Sequence, residues 1–328
     1  MKVPFFDYPK LYLEDRENLL SIFDKTASSG AFIMQDDLSF FEKKLSEYLG
    51  CKHVIGVADG TVALTLSLKA AGLRKDQEVI VSSHTFVATA AAIKDAGGIP
   101  VISDCLSDSS INPESIKKMI SKKTAIIMPT QLNGRCCQMD DIKEIADENN
   151  LKIVEDSCQS LGASYKGIKA GLFGLAGSYS FFPAKTLGCF GDGGAIATNS
   201  DEAAELIFKL RNHGRDGSGY VSEFGLNGRL DNLQAAILNH KLKKYDSYIE
   251  KRRKIATLYF SKLNKLNDIS LPPPPSNNNV YFDIFQNYEI QVKQRDELKE
   301  FLLKNGIGTI IQWGGWMLHQ FKDLNLKS

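Results

Sequence analysis

The stretch Ser178-Tyr-Ser-Phe-Phe-Pro-Ala-Lys-Thr-Leu-Gly188, continued by Gly191-Asp-Gly-Gly194 and Ala195-Ile-Ala-Thr198, leads from one β-rich run through a tight loop into another. Pro183 and the glycines make that loop short and stiff, so the Lys185 amine is expected to project from it into a cavity. Upstream, Ile153-Val-Glu-Asp156-Ser-Cys-Gln159 reads as a strand whose last residue is a carboxylate. Open α/β sheets bind ligands beyond the carboxyl ends of their strands. Lys185 and Asp156 are therefore expected on one rim.

From about residue 50 to 200, short β-branched runs alternate with helical patterns, the signature of βαβ units feeding a mostly parallel sheet between helices. Gln77 to Val81 reads as a strand, Thr85 to Ala96 as an Ala-rich helix stopped by Gly97-Gly98, and Ile99 to Asp104 as the next strand. Thr124 to Met128 is another. Asp140 is expected to cap a helix reaching Asn150, ahead of a strand from Leu151, and Asp201 to cap a helix over Glu202 to Arg211. A Gly-rich loop, His213 to Gly219, precedes a helical pattern from Leu230 through Leu263. Leu271-Pro-Pro-Pro-Pro-Ser-Asn-Asn-Asn279 reads as a linker. Beyond it, Asn287 to Val292 is expected as strand, Arg295 to Asn305 as helix, and Thr309 to Gln312 as strand. The expected organisation is a large domain over residues 1–245 and a smaller α/β domain over 246–328.

With 328 residues, 43% of them hydrophobic, the chain can bury a full core. Forty basic against thirty-nine acidic residues leave a net charge of +1, which argues against nucleic acid or an anionic membrane as partner. No run approaches the roughly 18 to 20 apolar residues of a membrane span, and the N-terminus does not read as a signal peptide, so a cytoplasmic location is expected. Cys51, Cys105, Cys136, Cys137, Cys158 and Cys189 form no C-x-x-C pair and read as reduced thiols; no histidine spacing suggests a metal site. The basic runs at Lys241 to Lys244 and Lys251 to Lys254 read as a solvated helix face or as contacts to a phosphorylated substrate.

The rim residues match the needs of pyridoxal 5'-phosphate (PLP): a Schiff-base lysine, a carboxylate at the ring nitrogen, an aromatic lid and donors for a dianionic phosphate. Gly60-Thr61 precedes Val62-Ala-Leu-Thr-Leu-Ser-Leu68, which places free N–H groups and a hydroxyl at a helix N-terminus, where phosphate binds. Taken singly, each residue has a plainer reading: Thr61 as a helix cap, Asp156 as a solvent-facing cap, Lys185 as a surface lysine. Their joint occurrence favours the cofactor. Gly171-Leu-Phe-Gly174-Leu-Ala-Gly177 is not G-x-G-x-x-G, which argues against a Rossmann dehydrogenase. A PLP lyase and a PLP-binding regulatory protein without turnover are the rival readings.

Several stretches together make the chain resemble the DegT/DnrJ/EryC1/StrS family of PLP-dependent nucleotide-sugar aminotransferases, of fold type I. They are Ala58-Asp-Gly-Thr-Val-Ala-Leu64, Ser83-His-Thr-Phe-Val-Ala-Thr89, Glu155-Asp-Ser-Cys-Gln159, Ser178 to Gly188, Gly191 to Gly194 and Asn227-Gly-Arg-Leu230. The resemblance implies that Lys185 carries the cofactor, Asp156 pairs with the ring nitrogen, Gln159 contacts the ring hydroxyl and Phe86 stacks on the ring. It further implies that Gly60, Thr61 and Ser180 hold the phosphate, joined by Asn227 from the second subunit of a homodimer. A branch of the family has histidine in place of this lysine and dehydrates sugars; Lys185 argues against that branch.

The same resemblance implies amino transfer from L-glutamate to a nucleotide-linked keto-deoxysugar. Gly308-Thr-Ile-Ile-Gln-Trp-Gly-Gly315 is similar to members acting on dTDP-4-keto-6-deoxyglucose, with a 3-keto sugar as the alternative. Family members continue beyond the segment matching Leu318-His-Gln320, so an incomplete small domain is a further expectation. His84, His213 and His319 are read as structural.

Overall fold

The computed structural model describes residues 2–276 and 279–327. Its strands, in chain order, are β1 (His53–Val57), β2 (Glu78–Ser82), β3 (Ile99–Ser103), β4 (Thr124–Met128), β5 (Lys152–Asp156), β6 (Ser164–Tyr165), β7 (Ile168–Lys169), β8 (Ala176–Ser180), β9 (Gly194–Thr198), β10 (Ile269–Ser270), β11 (Tyr281–Phe282) and β12 (Gln291–Val292). Seven of them form the central sheet in the order β1-β9-β8-β5-β4-β2-β3. Strands β8, β5, β4, β2 and β3 pair in parallel, while β9 lies antiparallel to both β8 and β1. Strands covered on both faces are buried along their length, as parallel β2 and antiparallel β9 are at every residue.

Helices cover the sheet: α1 (Tyr8–Glu14), α2 (Arg16–Ser29), α3 (Asp36–Leu49), α4 (Gly60–Ala70), α5 (Val87–Asp95), α6 (Pro113–Met119), α7 (Met139–Glu148), α8 (Asp201–Leu210), α9 (Asn232–Leu242), α10 (Tyr245–Leu263) and α11 (Arg295–Lys304). Helix α7 shows the pattern that folds them. Met139, Ile142, Ile145 and Ala146 are buried on one stripe, while Asp140 and Asp141 face solvent. Helix α4 is apolar almost throughout because it is buried from Ala63 to Leu68. The mostly parallel α/β architecture expected from the alternation is the one observed.

Several local expectations are corrected. The cap of α8 is Ser200, whose hydroxyl accepts from Ala203 N at 3.1 Å; Asp201 instead binds His53 and Lys52. Asp140 lies inside α7, which starts one residue earlier, and its carboxylate pairs with Lys166. Thr309 to Gln312 forms no strand. The chain turns there through Trp313, Gly314 and Gly315, all at positive φ of 50°, 70° and 83°. Of Asn287 to Val292 only Gln291–Val292 pairs as a strand, with β10. The helical pattern from Leu230 is two helices, broken at Lys243-Lys244. Nor are the basic runs one solvated face: Lys241 donates to Gly188 O at 2.6 Å, Arg252 to Phe285 O and Gln286 O, and Arg253 to Asp283 O. In the linker, Leu271 to Ser276 is irregular, and Asn277 and Asn278 lie outside the described residues.

The C-terminal segment returns to the large sheet. Leu318 is fully buried and its N–H donates to Ser83 O at 3.0 Å; Ile102 N donates to Lys327 O at 2.8 Å, covering the edge at β3. Lys327 Nζ also reaches the buried Glu78 carboxylate at 2.6 Å.

Candidate active site

Strand β5 carries Asp156 to its carboxyl end, and β8 runs beside it with Ser178 in register with Asp156. After Ser180 the chain turns through Pro183 to Lys185, then returns as β9, whose Gly194 pairs with Ser180. Lys185 therefore stands above the strand ends. Its loop is gripped from behind by one amide. Gln286 Oε1 accepts from both Thr186 N and Thr186 Oγ1 at 2.7 Å, and Gln286 Nε2 donates to Ala184 O at 2.8 Å. The residues on either side of Lys185 are thus fixed by a buried side chain 100 residues downstream.

Helix α4 points its N-terminus at the same place. Asp59 caps it, with Oδ1 accepting from Val62 N at 2.9 Å, so Thr61 is not the cap. The first N–H groups of a helix have no partner within it, and the helix dipole favours an anion in front of them. A Cβ at Gly60 would stand 2.9 Å from Ser180 Cβ and 3.1 Å from Cys158 Sγ. Only glycine lets the helix end approach Ser180 this closely. Gly60, Thr61 and Ser180, expected to form one phosphate cradle, are brought together at this point.

A small pocket is lined by residues that include Cys158, Gln159, Ser180 and Lys185, with the buried Tyr245 and Gln286 on its inner side. Burial and the neighbouring Asp156 push the Cys158 thiol well above the usual thiol range, with Lys185 opposing the shift. Cys158 thus feels both the lysine and the carboxylate. Gln159 Oε1 accepts from Asn133 N at 2.9 Å, which leaves its NH₂ free to donate.

Phe86, the N-cap of α5, is 51% exposed. Its ring centroid lies 6.3 Å from that of Trp313, which also packs on His84 at 5.0 Å. His84 Nε2 meets Glu289 Oε1 at 3.1 Å, and Glu289 Oε2 accepts from Asn133 Nδ2 at 2.5 Å. Of the expected residues Gln159, Ser180 and Lys185 line the pocket; Gly60, Thr61, Phe86 and Asp156 are not in its lining, and nor is Asn227. Asn227 is exposed, and its Oδ1 accepts from Arg229 Nη2 at 2.6 Å.

Sequence reasoning missed Cys158, Gln286, Asn133 and Glu289, for which nothing local gives a signal. It also passed over Thr89, whose hydroxyl donates to Asp156 Oδ2 at 2.7 Å. The i, i+4 spacing of Thr85 and Thr89 at a helix start was the available signal.

A lysine, a strand-end carboxylate, a glycine-bearing helix N-terminus and an exposed aromatic ring on this sheet are what a PLP-dependent enzyme requires. The chain belongs to the DegT/DnrJ/EryC1/StrS aminotransferase family, whose model matches residues 14–326. It is 35% identical over 313 residues to a dTDP-3-amino-3,4,6-trideoxy-alpha-D-glucose transaminase of Streptomyces venezuelae, covering 95% of this chain and 82% of that one. It is 36% identical over 315 residues to a pleiotropic regulatory protein of Geobacillus stearothermophilus, covering 95% and 84%. Its structure superposes on that of ntda from Bacillus subtilis with bound cofactor PMP at a TM-score of 0.89, with 31% identity over 98% of this chain and 74% of that one. The protein is a PLP-dependent sugar aminotransferase.

Proposed function

We propose that the enzyme moves an amino group from L-glutamate to a nucleotide-linked keto-deoxysugar, with both half-reactions in the pocket beside Lys185. The reading is carried by Gln159, Ser180 and Lys185 lining one pocket, with the N-terminus of α4 packed against Ser180 and Cys158. When bound, PLP supplies the aldehyde that takes up the amino group and the ring that holds the electrons released when a substrate proton leaves. Lys185 Nζ carries the cofactor and, once freed, moves the proton as base and acid, a role worth roughly 10²- to 10⁴-fold. The Asp156 carboxylate accepts from the ring N–H, Gln159 Nε2 donates to the ring hydroxyl oxygen, and Phe86 covers the ring face. Gly60, Thr61 and Ser180 hold the phosphate.

Asn227 serves the second subunit of a homodimer in this reading. Support comes from the loop before it, where Tyr220, Val221 and Phe224 are 69%, 50% and 99% exposed, apolar surface that a partner chain would cover. The division near residue 245 and a cytoplasmic location belong to the same proposal; no helix among the described residues is long and apolar enough to cross a membrane. For the ketone, the similarity around Gln312-Trp-Gly-Gly315 favours C4 of dTDP-4-keto-6-deoxyglucose. The 3-amino product in the name of the Streptomyces relative favours C3 as the second reading. The name of the Geobacillus relative, a pleiotropic regulatory protein, favours a regulatory role as a further reading.

One experiment separates these readings. Enzyme and glutamate alone should release one equivalent of 2-oxoglutarate, and a dTDP-linked keto-6-deoxyhexose should then be aminated far faster than the free sugar, because the remote nucleotide orients the ketone. NMR of the product fixes the carbon. Equal rates without the nucleotide would refute the substrate class, and cofactor binding with no 2-oxoglutarate would refute turnover with this donor.

A further inference from the structure

We propose that Thr89, backed by Thr85 and Thr130, is a positioning residue that sets how the Asp156 carboxylate meets the cofactor ring. The inference rests on the assignment of Asp156 to the ring nitrogen. Thr130 Oγ1 donates to Thr85 Oγ1 at 2.9 Å, Thr85 and Thr89 hydroxyls lie 2.8 Å apart, and Thr89 donates to Asp156 Oδ2 at 2.7 Å. All four residues are at most 5% exposed. Each threonine owns one hydroxyl hydrogen, and a carboxylate only accepts. The chain therefore has one direction: Thr130 to Thr85 to Thr89 to Asp156.

Such a chain strengthens its last bond, because each donor is polarised by the one behind it. The backbone that carries the carboxylate is also fixed, and the second carboxylate oxygen has a donor of its own. Asp156 N donates to Pro129 O at 3.0 Å, Gln131 N donates to Asp156 O at 2.9 Å, and Cys158 N reaches Oδ1 at 3.2 Å. Three segments thus converge on Asp156: the chain after β4 holds its backbone, while the start of α5 and the turn after β5 hold its carboxylate. The stretch Ser83 to Thr89 does two tasks at once, since Phe86 stays exposed on one side while Thr85 and Thr89 turn inward. The row of hydroxyls ends on the one ionisable group among the four, the Asp156 carboxylate at the carboxyl end of β5.

The test uses the holoenzyme loaded with PLP labelled with ¹⁵N in the ring, whose chemical shift reports ring protonation, together with titration of the apoenzyme with PLP. Thr89→Val keeps the shape and removes the hydroxyl. It should move the ring signal toward the unprotonated position and weaken PLP binding by up to about tenfold, because a carboxylate that loses its donor becomes more basic and competes with the ring nitrogen for the proton. Thr89→Ser should restore both. Thr85→Val and Thr130→Val should give the same changes in decreasing size, and they carry the test if Thr89→Val does not fold. A wild-type signal and affinity in Thr89→Val, or Thr89→Ser behaving like Thr89→Val, would overturn the inference while leaving Asp156 in place. An unmoved signal in Asp156→Asn would remove the assignment of Asp156 and the inference with it.

Discussion

Gly60→Ala tests the cradle most directly, because its consequence can be worked from the geometry. The added methyl would lie 2.9 Å from Ser180 Cβ, an atom of a rigid strand that cannot rotate away, and 3.1 Å from Cys158 Sγ. The N-terminus of α4 must then retreat by a few tenths of an ångström. Two effects follow. Overpacking of this kind costs about 1 to 3 kcal/mol of stability, visible in urea unfolding of the apoenzyme. Separately, the Gly60 and Thr61 N–H groups lose their fit to a phosphate. Hydrogen bonds to charged groups are worth about 1.5 to 3 kcal/mol, so loosening two of them costs about 2 to 3 kcal/mol, a roughly 30- to 150-fold rise in the Kd for PLP. Pyridoxal without its phosphate is the control, and its weak affinity should change little. Titration of apoenzyme with both ligands measures the difference. An unchanged Kd for PLP, or an equal loss for pyridoxal, would refute the phosphate cradle at the α4 N-terminus.

Lys185→Ala should abolish turnover and leave the fold intact, and borohydride reduction of the wild type followed by peptide mapping should place the pyridoxyl label on Lys185; a label elsewhere would overturn the assignment. Mixing Lys185→Ala with Asn227→Ala protein should, after subunit exchange, regain activity, since both lesions then fall in one site of each hybrid and the other site is whole. No recovery despite demonstrated exchange would place Asn227 in its own subunit's site. Burial raises the proton affinity of Glu78, but hydrogen bonds from Lys327 and Ser121 outweigh it and hold the carboxyl below its usual range. Stability from this contact is thus present above the ordinary carboxylate range and lost as pH falls through the folded value. Because Lys327 is half exposed, Glu78→Gln should cost only about 1 kcal/mol at pH 7, and the urea midpoints of variant and wild type should converge in acid.

The alternation of strands and helices, and the strand-end position of Asp156, could be read from sequence because a buried parallel sheet demands continuous β-branched runs and amphipathic cover. Gly60-Thr61 and Lys185 were legible for a similar reason. Each sits where a glycine- or proline-bearing turn interrupts such a run, and that punctuation is local. Helix caps were less legible: Ser200 and Asp201, or Gln138 and Asp140, differ by one or two positions, and ion pairs with His53, Lys52 and Lys166 drew the carboxylates away. The turn at Trp313 was missed because three successive positive φ values leave no periodic trace.

What only the tertiary structure decided is the set of partners. Gln286 grips the Lys185 loop from 100 residues away, Asn133 orients Gln159, Glu289 holds His84, and three threonines from two segments line up behind Asp156. A hydrogen bond depends on distances of about 3 Å and on direction. Residue order fixes neither for groups far apart in the chain. The sequence by itself determined that Asp156 ends a strand, that Gly60-Thr61 opens a helix and that Lys185 stands on the loop between two strands; the packing of the sheet against α4, α5 and the segment around residue 286 determined how they are held.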